Sequence, residues 1–135
     1  MNIHRTFQFI FLQIVAPLTI GCCMYILFRP DVGDTAQVDG HNQLVSILIY
    51  SLPDGLWLYA FLNAIYLIWS RRMSTWFIFW VAFIMVCALS TEILQKRKVV
   101  PGTFDFYDIF FYLYAFFLFI IINKIKFIKN KTVSL

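Results

Sequence analysis

Charge is what this chain has least of. Only 13% of its 135 residues are charged and 61% are hydrophobic, whereas an ordinary soluble domain carries about 25% charged residues. That balance excludes a water-soluble globule and leaves room for a single integral membrane domain, residues 1–135. Histidine is limited to His4 and His41. Cys22, Cys23 and Cys87 lie inside apolar runs without metal-ligand spacing to either histidine, so no metal or cofactor is expected and buried small hydrophobes account for the thiols. The net charge of +4 comes from lysines and arginines that flank apolar runs. They form no basic patch with interleaved aromatics, which points to membrane orientation and away from nucleic acid. Internal repeats and low-complexity segments are absent.

What is present is apolar sequence in four stretches. The first, Thr6 to Phe28, is long enough to cross a hydrocarbon core of ~30 Å at ~1.5 Å per residue. It contains Pro17, a candidate kink, and Gln8 and Gln13, which need polar partners. A polar connection, Asp31 to Asn42, follows. Leu44 to Tyr50 is too short to span and reads as an interfacial or re-entrant lead-in. The second stretch, Leu52 to Trp69, stops at Arg71-Arg72, and the third, Thr75 to Leu94, at Gln95-Lys96-Arg97-Lys98. Pro101-Gly102-Thr103 then leads to the fourth, Asp108 to Ile122, and a basic tail from Asn123 to Lys131. The fold expected is an all-α membrane protein: a bundle of four transmembrane helices with a short interfacial segment before the second.

Lysine and arginine set the orientation. With the N-terminus inside, the inner face holds Arg5, Arg71, Arg72, Lys124, Lys126, Lys129 and Lys131, and the outer face Arg29, Lys96, Arg97 and Lys98. Both termini are therefore expected in the cytoplasm. An alternative at the N-terminus is a bacterial lipoprotein signal ending at an acylated Cys22. Thr19 and the apolar run past Cys22 favour an intact helix instead.

On that topology every acidic residue faces outward. Asp31, Asp34 and Asp39 lie in the first connection, Asp54 opens the second apolar stretch, Glu92 closes the third, and Asp105 and Asp108 open the fourth. Carboxylates at a membrane boundary must be solvated, capped or paired, so they mark functional ground. Two readings compete. Ser51-Leu52-Pro53-Asp54 has capping-box spacing, and Asp105-Phe106-Tyr107-Asp108 repeats it, so these residues could serve only the first turns of helices. Glu92 has no such account, because it sits at a helix C-terminal end where the dipole disfavours an anion. Gln95, one turn on, shares its face.

Thr91-Glu92-Ile93-Leu94-Gln95 followed by Pro101-Gly102-Thr103-Phe104-Asp105-Phe106-Tyr107-Asp108-Ile109 resembles the signature of VanZ-like membrane proteins. There a third helix ending in Glu-x-x-Gln meets a Pro-Gly turn and an Asp-x-x-Asp entry into the fourth. The resemblance covers the four-span plan and is specific over Thr91 to Ile109. The resemblance is that of a divergent relative: no arginine stands between Gly102 and Asp105, and the family's Asn and Gly one and two turns past the second Asp are replaced by Tyr112 and Ala115. The family is associated with teicoplanin resistance.

The residues and the resemblance together lead to the expectation of a bacterial inner-membrane protein with an outward polar site built from Glu92, Gln95, Asp105 and Asp108, with Asp54 and Arg29 beside them. Such a site would recognise or protect a lipid-linked envelope component or an envelope-active compound. Lys96-Arg97-Lys98 would meet phosphate, and the carboxylates would meet amines or sugar hydroxyls. Ser51, Thr103, His41 and the carboxylates form no nucleophile with its base, so catalysis is left open. Expected partners are the bilayer, a lipid-linked glycan or phosphate head group, and other membrane subunits. The second reading is an accessory subunit or assembly factor of a membrane complex. The third is a small cation- or proton-coupled exporter.

Overall fold

The computed structural model describes residues 3–28, 43–69, 74–100 and 104–132, and side chains within 3–27, 47–69, 74–100 and 104–123. The connection holding Asp31, Asp34 and Asp39, the residues Arg29, His41, Arg71, Arg72 and Thr103, and the basic side chains of the tail lie outside these. All regular structure among the described residues is helical: α1 (Ile3–Ile10), a π-helical turn (Phe11–Val15), α2 (Ala16–Phe28), α3 (Gln43–Ile68), α4 (Thr75–Lys96) and α5 (Phe106–Thr132).

Among the described residues three stretches are long and apolar enough to cross a membrane: Ile3–Leu27, which runs through α1, the π turn and α2, then α4, and Phe106–Asn123 of α5. Little of their surface is covered by the protein itself (11%, 17% and 28% of the most apolar windows). Long apolar helices that leave most of their side chains uncovered suit hydrocarbon surroundings, and the chain is a membrane protein on this ground.

α3 is the fourth helix and the centre of the structure. It packs extensively against α5 and α2, while α4 touches α3 and α5 more sparingly. Leu58, Tyr59, Ala60, Leu62, Ile65 and Tyr66 are all buried along it. The contacts fix the directions. Gln13 meets Tyr59 while Gly21 lies against Trp57, so the first rod runs opposite to α3. Gly55 faces Phe111 and Asn63 meets Asn123, so α3 and α5 run the same way. α4 reverses, with Phe77 at Tyr66 and Glu92 at Tyr112.

Glycine permits the two tightest approaches. A Cβ on Gly21 would stand 2.6 Å from Trp57 Nε1 and 3.3 Å from the Pro53 carbonyl, and one on Gly55 would stand 3.1 Å from Phe111 Cβ. Helices in lipid gain association energy from such close packing, because apolar burial drives little there. At the far end Phe9, Tyr66, Phe77 and Phe119 form a buried aromatic plug, with Tyr66 ring centroids 5.7 Å from Phe77 and 5.9 Å from Phe119.

Helix ends follow local chemistry. Ser74 caps α4, its Oγ accepting from the Phe77 N–H at 3.1 Å. The same helix closes in a Schellman turn: Lys98 N–H donates to Gln95 O at 2.8 Å and Val99 N–H to Leu94 O at 3.0 Å, with Lys98 in the left-handed region at φ 56°. In the first rod the Ala16 N–H reaches back five residues to Phe11 O. Pro17 has no N–H to give Gln13 O, and its ring crowds that carbonyl, so the widened turn lies where the α ladder is already broken.

Two expectations need correcting. Leu44 to Tyr50 is not a separate interfacial segment, since α3 runs unbroken from Gln43 to Ile68 with Pro53 inside it. Proline removes one ladder bond, whereas ending the helix at Ser51 would leave several backbone groups open in an apolar setting. Ser51 is therefore no cap; it is fully buried mid-helix. The fourth apolar helix also starts two residues before Asp108 and continues through the tail to Thr132.

Candidate functional site

Because α3 starts at Gln43, Asp54 is an interior residue of that helix, about 16 Å along its axis at ~1.5 Å per residue. Its level is that of the last turn of α4 and the first turn of α5. Three elements thus bring three carboxylates together. Glu92 is 2% exposed and Asp108 8%. Asp54 is half-buried, and both aspartates act electrostatically on Glu92.

Glu92 holds the centre. The Tyr112 hydroxyl, buried one turn past Asp108, donates to Glu92 Oε1 at 3.3 Å. Glu92 Oε2 is buried with no hydrogen-bond partner. The Asp105 backbone amide also interacts with this carboxylate. Glu92, Asp54 and Asp108 cannot donate to one another while ionised, since carboxylates only accept.

Asp105 has a different task. Its Oδ1 accepts from the Tyr107 N–H at 3.0 Å, the contact of an N-cap at the head of α5. The capping geometry read at Ser51–Asp54 is thus absent there and present here. Gln95 is half-buried beyond Glu92, with no side-chain hydrogen bond to it, and contributes its carbonyl to the Schellman turn. Lys96 lies over the rings of Phe104 and Phe106, its Nζ 5.0 Å and 5.9 Å from the centroids, tying the end of α4 to the start of α5. Arg97 and Lys98 are exposed. Arg29 lies outside the described residues.

Beside the cluster an open groove of about 350 Å³ runs between α3, α4 and α5. Asp54, Thr91 and Tyr112 give it a polar end, and Trp57, Phe61, Ile84 and Ala88 are among its apolar walls. At the opposite end of the bundle lies a second polar set. Gln13 accepts from the Tyr59 hydroxyl, Asn63 Nδ2 donates to Tyr59 O at 2.9 Å, and Asn123 Nδ2 donates to Asn63 Oδ1 at 3.2 Å and Phe119 O at 2.9 Å. Gln13 finds the partner its position demanded. Asn63 was legible only as an amide inside an apolar run, a signal that marks interhelical bonding. No protein-family model, curated protein or solved structure matches the chain.

Proposed function

We propose that the chain is a divergent VanZ-like bacterial inner-membrane protein with four spanning helices and both termini in the cytoplasm. Its acidic site recognises or protects a lipid-linked envelope component or an envelope-active compound. One observation carries this reading: Glu92 is 2% exposed, one of its carboxylate oxygens has no partner, and two more carboxylates act on it. An unpaired buried acceptor is expensive in an apolar medium, so a structural role alone gives no reason to keep it. A ligand amine or sugar hydroxyl supplies the missing donor. Arg97 and Lys98, exposed at the same end of α4, would meet phosphate.

Glu92→Gln keeps the shape and hydrogen-bonding reach but removes the charge. It should leave the protein inserted and abundant while abolishing rescue of a deletion strain; full rescue would remove the site's centre. Reporter fusions at Met73 and after Leu135 should report cytoplasm, and one near Asp34 the outside. An outside signal at Leu135 overturns the orientation. The third reading, a cation- or proton-coupled exporter, gains support from the placement of Asp54 inside α3 and not at its start. Uptake into inverted vesicles that depends on a proton gradient would select it.

A further inference from the structure

We infer that the groove is a lateral seat for one long-chain amphiphile with a primary ammonium head. The head lies at Glu92 and Tyr112, and the chain lies along Trp57, Phe61, Ile84 and Ala88. This rests on the recognition reading and names its ligand class.

The groove is amphipathic along its length. Its polar lining, Asp54, Thr91 and Tyr112, belongs to the carboxylate end, and the rest is hydrocarbon, indole and the Cys87 thiol. Glu92 lies buried behind that end, at 2% exposure, and does not itself line the groove. It follows Ala88 by one turn on the same face of α4, and the Tyr112 hydroxyl joins it to the lining. The unpartnered Oε2 needs a donor, and the site also calls for positive charge. Glu92 occupies the final turns of α4, where the helix dipole disfavours an anion, and Asp108 and Asp54 add repulsion. An alcohol would donate without relieving that field; an ammonium does both. The chain then stays in apolar surroundings from bilayer to groove. The sparse contacts of α4 with α3 and α5 leave that side of the bundle the least closed.

Trp57 reports occupancy directly, because it lines the groove. The full chain carrying Trp69→Phe, Trp76→Phe and Trp80→Phe would be placed in phosphatidylcholine nanodiscs. It would be titrated with a terminally brominated long-chain amine and with the brominated alcohol of equal chain length. Saturable quenching by the amine is expected at about tenfold lower concentration than by the alcohol, the worth of one charge-assisted hydrogen bond. Glu92→Gln should erase the preference. Ala88→Phe, which fills the groove and leaves Glu92 intact, should abolish saturable quenching by both, and it decides the matter if Glu92→Gln does not fold. Equal quenching by amine and alcohol, or an amine preference that survives Ala88→Phe, overturns the inference. Loss of rescue by Glu92→Gln with equal quenching would leave the recognition reading standing with another ligand. An amine preference with full rescue would do the reverse.

Discussion

Asn63 and Asn123 at one end of the bundle are as deeply shielded as Glu92 at the other, with exposures of 0%, 1% and 2%. The amides carry donor and acceptor on the same side chain, so Asn123 bonds Asn63, Asn63 bonds the α3 backbone, and only Asn123 Oδ1 is left over. The carboxylates carry acceptors alone and repel one another, so bringing them together cannot close the set. A buried neutral network stabilises the fold that contains it. A cluster of like charges does not close itself in that way.

Exchanging the two chemistries should break the comparison most severely. Asn123→Asp would turn a donor facing Asn63 Oδ1 and Phe119 O into an acceptor, with a charge added in a sealed position. Unfolding in mixed micelles should register a loss of about 3–5 kcal/mol, the scale for an uncompensated buried charge. An unchanged midpoint would mean that the amide layer is wetter than its burial indicates.

A smaller effect separates pairing from packing. Asn63→Leu leaves Asn123 without its side-chain acceptor and should cost about 1–2 kcal/mol. Asn63→Leu with Asn123→Leu should recover part of that, giving a coupling of about 0.6 kcal/mol in a double-mutant cycle. Strict additivity would show that the 3.2 Å contact between them adds no energy of its own.

The smallest effect sharpens the line between cap and cluster. Asp105→Asn should change stability by a few tenths of a kcal/mol and Asp105→Ala by about 1, since asparagine caps as aspartate does and alanine does not. Rescue of the deletion strain should survive Asp105→Asn and fail with Asp108→Asn. Failure with both would move Asp105 from the cap into the site.

The helical class, the third apolar helix from Thr75 and the position of Glu92 near its C-terminal end were legible because each rests on local hydropathy. The place of Asp54 was not. Proline and a capping-box spacing at Ser51–Asp54 look like a helix start, and only the burial of Ser51 and Pro53 between neighbouring helices shows that packing overrides that signal. Tyr112 was visible as a departure from the family pattern but not as the hydroxyl on Glu92, because that pairing spans 20 residues and two helices. Asn63 and Asn123, 60 residues apart, were hidden for the same reason.

The π turn at Phe11–Val15 shifts the phase of the first rod. One residue more than an α turn needs is absorbed there, so the face presented by α1 and the face presented by α2 are offset by about 100° relative to an uninterrupted helix. Phe9 meets the aromatic plug on one side of that offset and Gly21 meets Trp57 on the other. Removing Leu12 would take out the extra residue and rotate one contact away from α3 while the other stayed, with the gap that Pro17 leaves in the ladder unchanged. The length of this five-residue stretch therefore acts as a clutch between the two halves of the rod, and counting residues there matters more than choosing them.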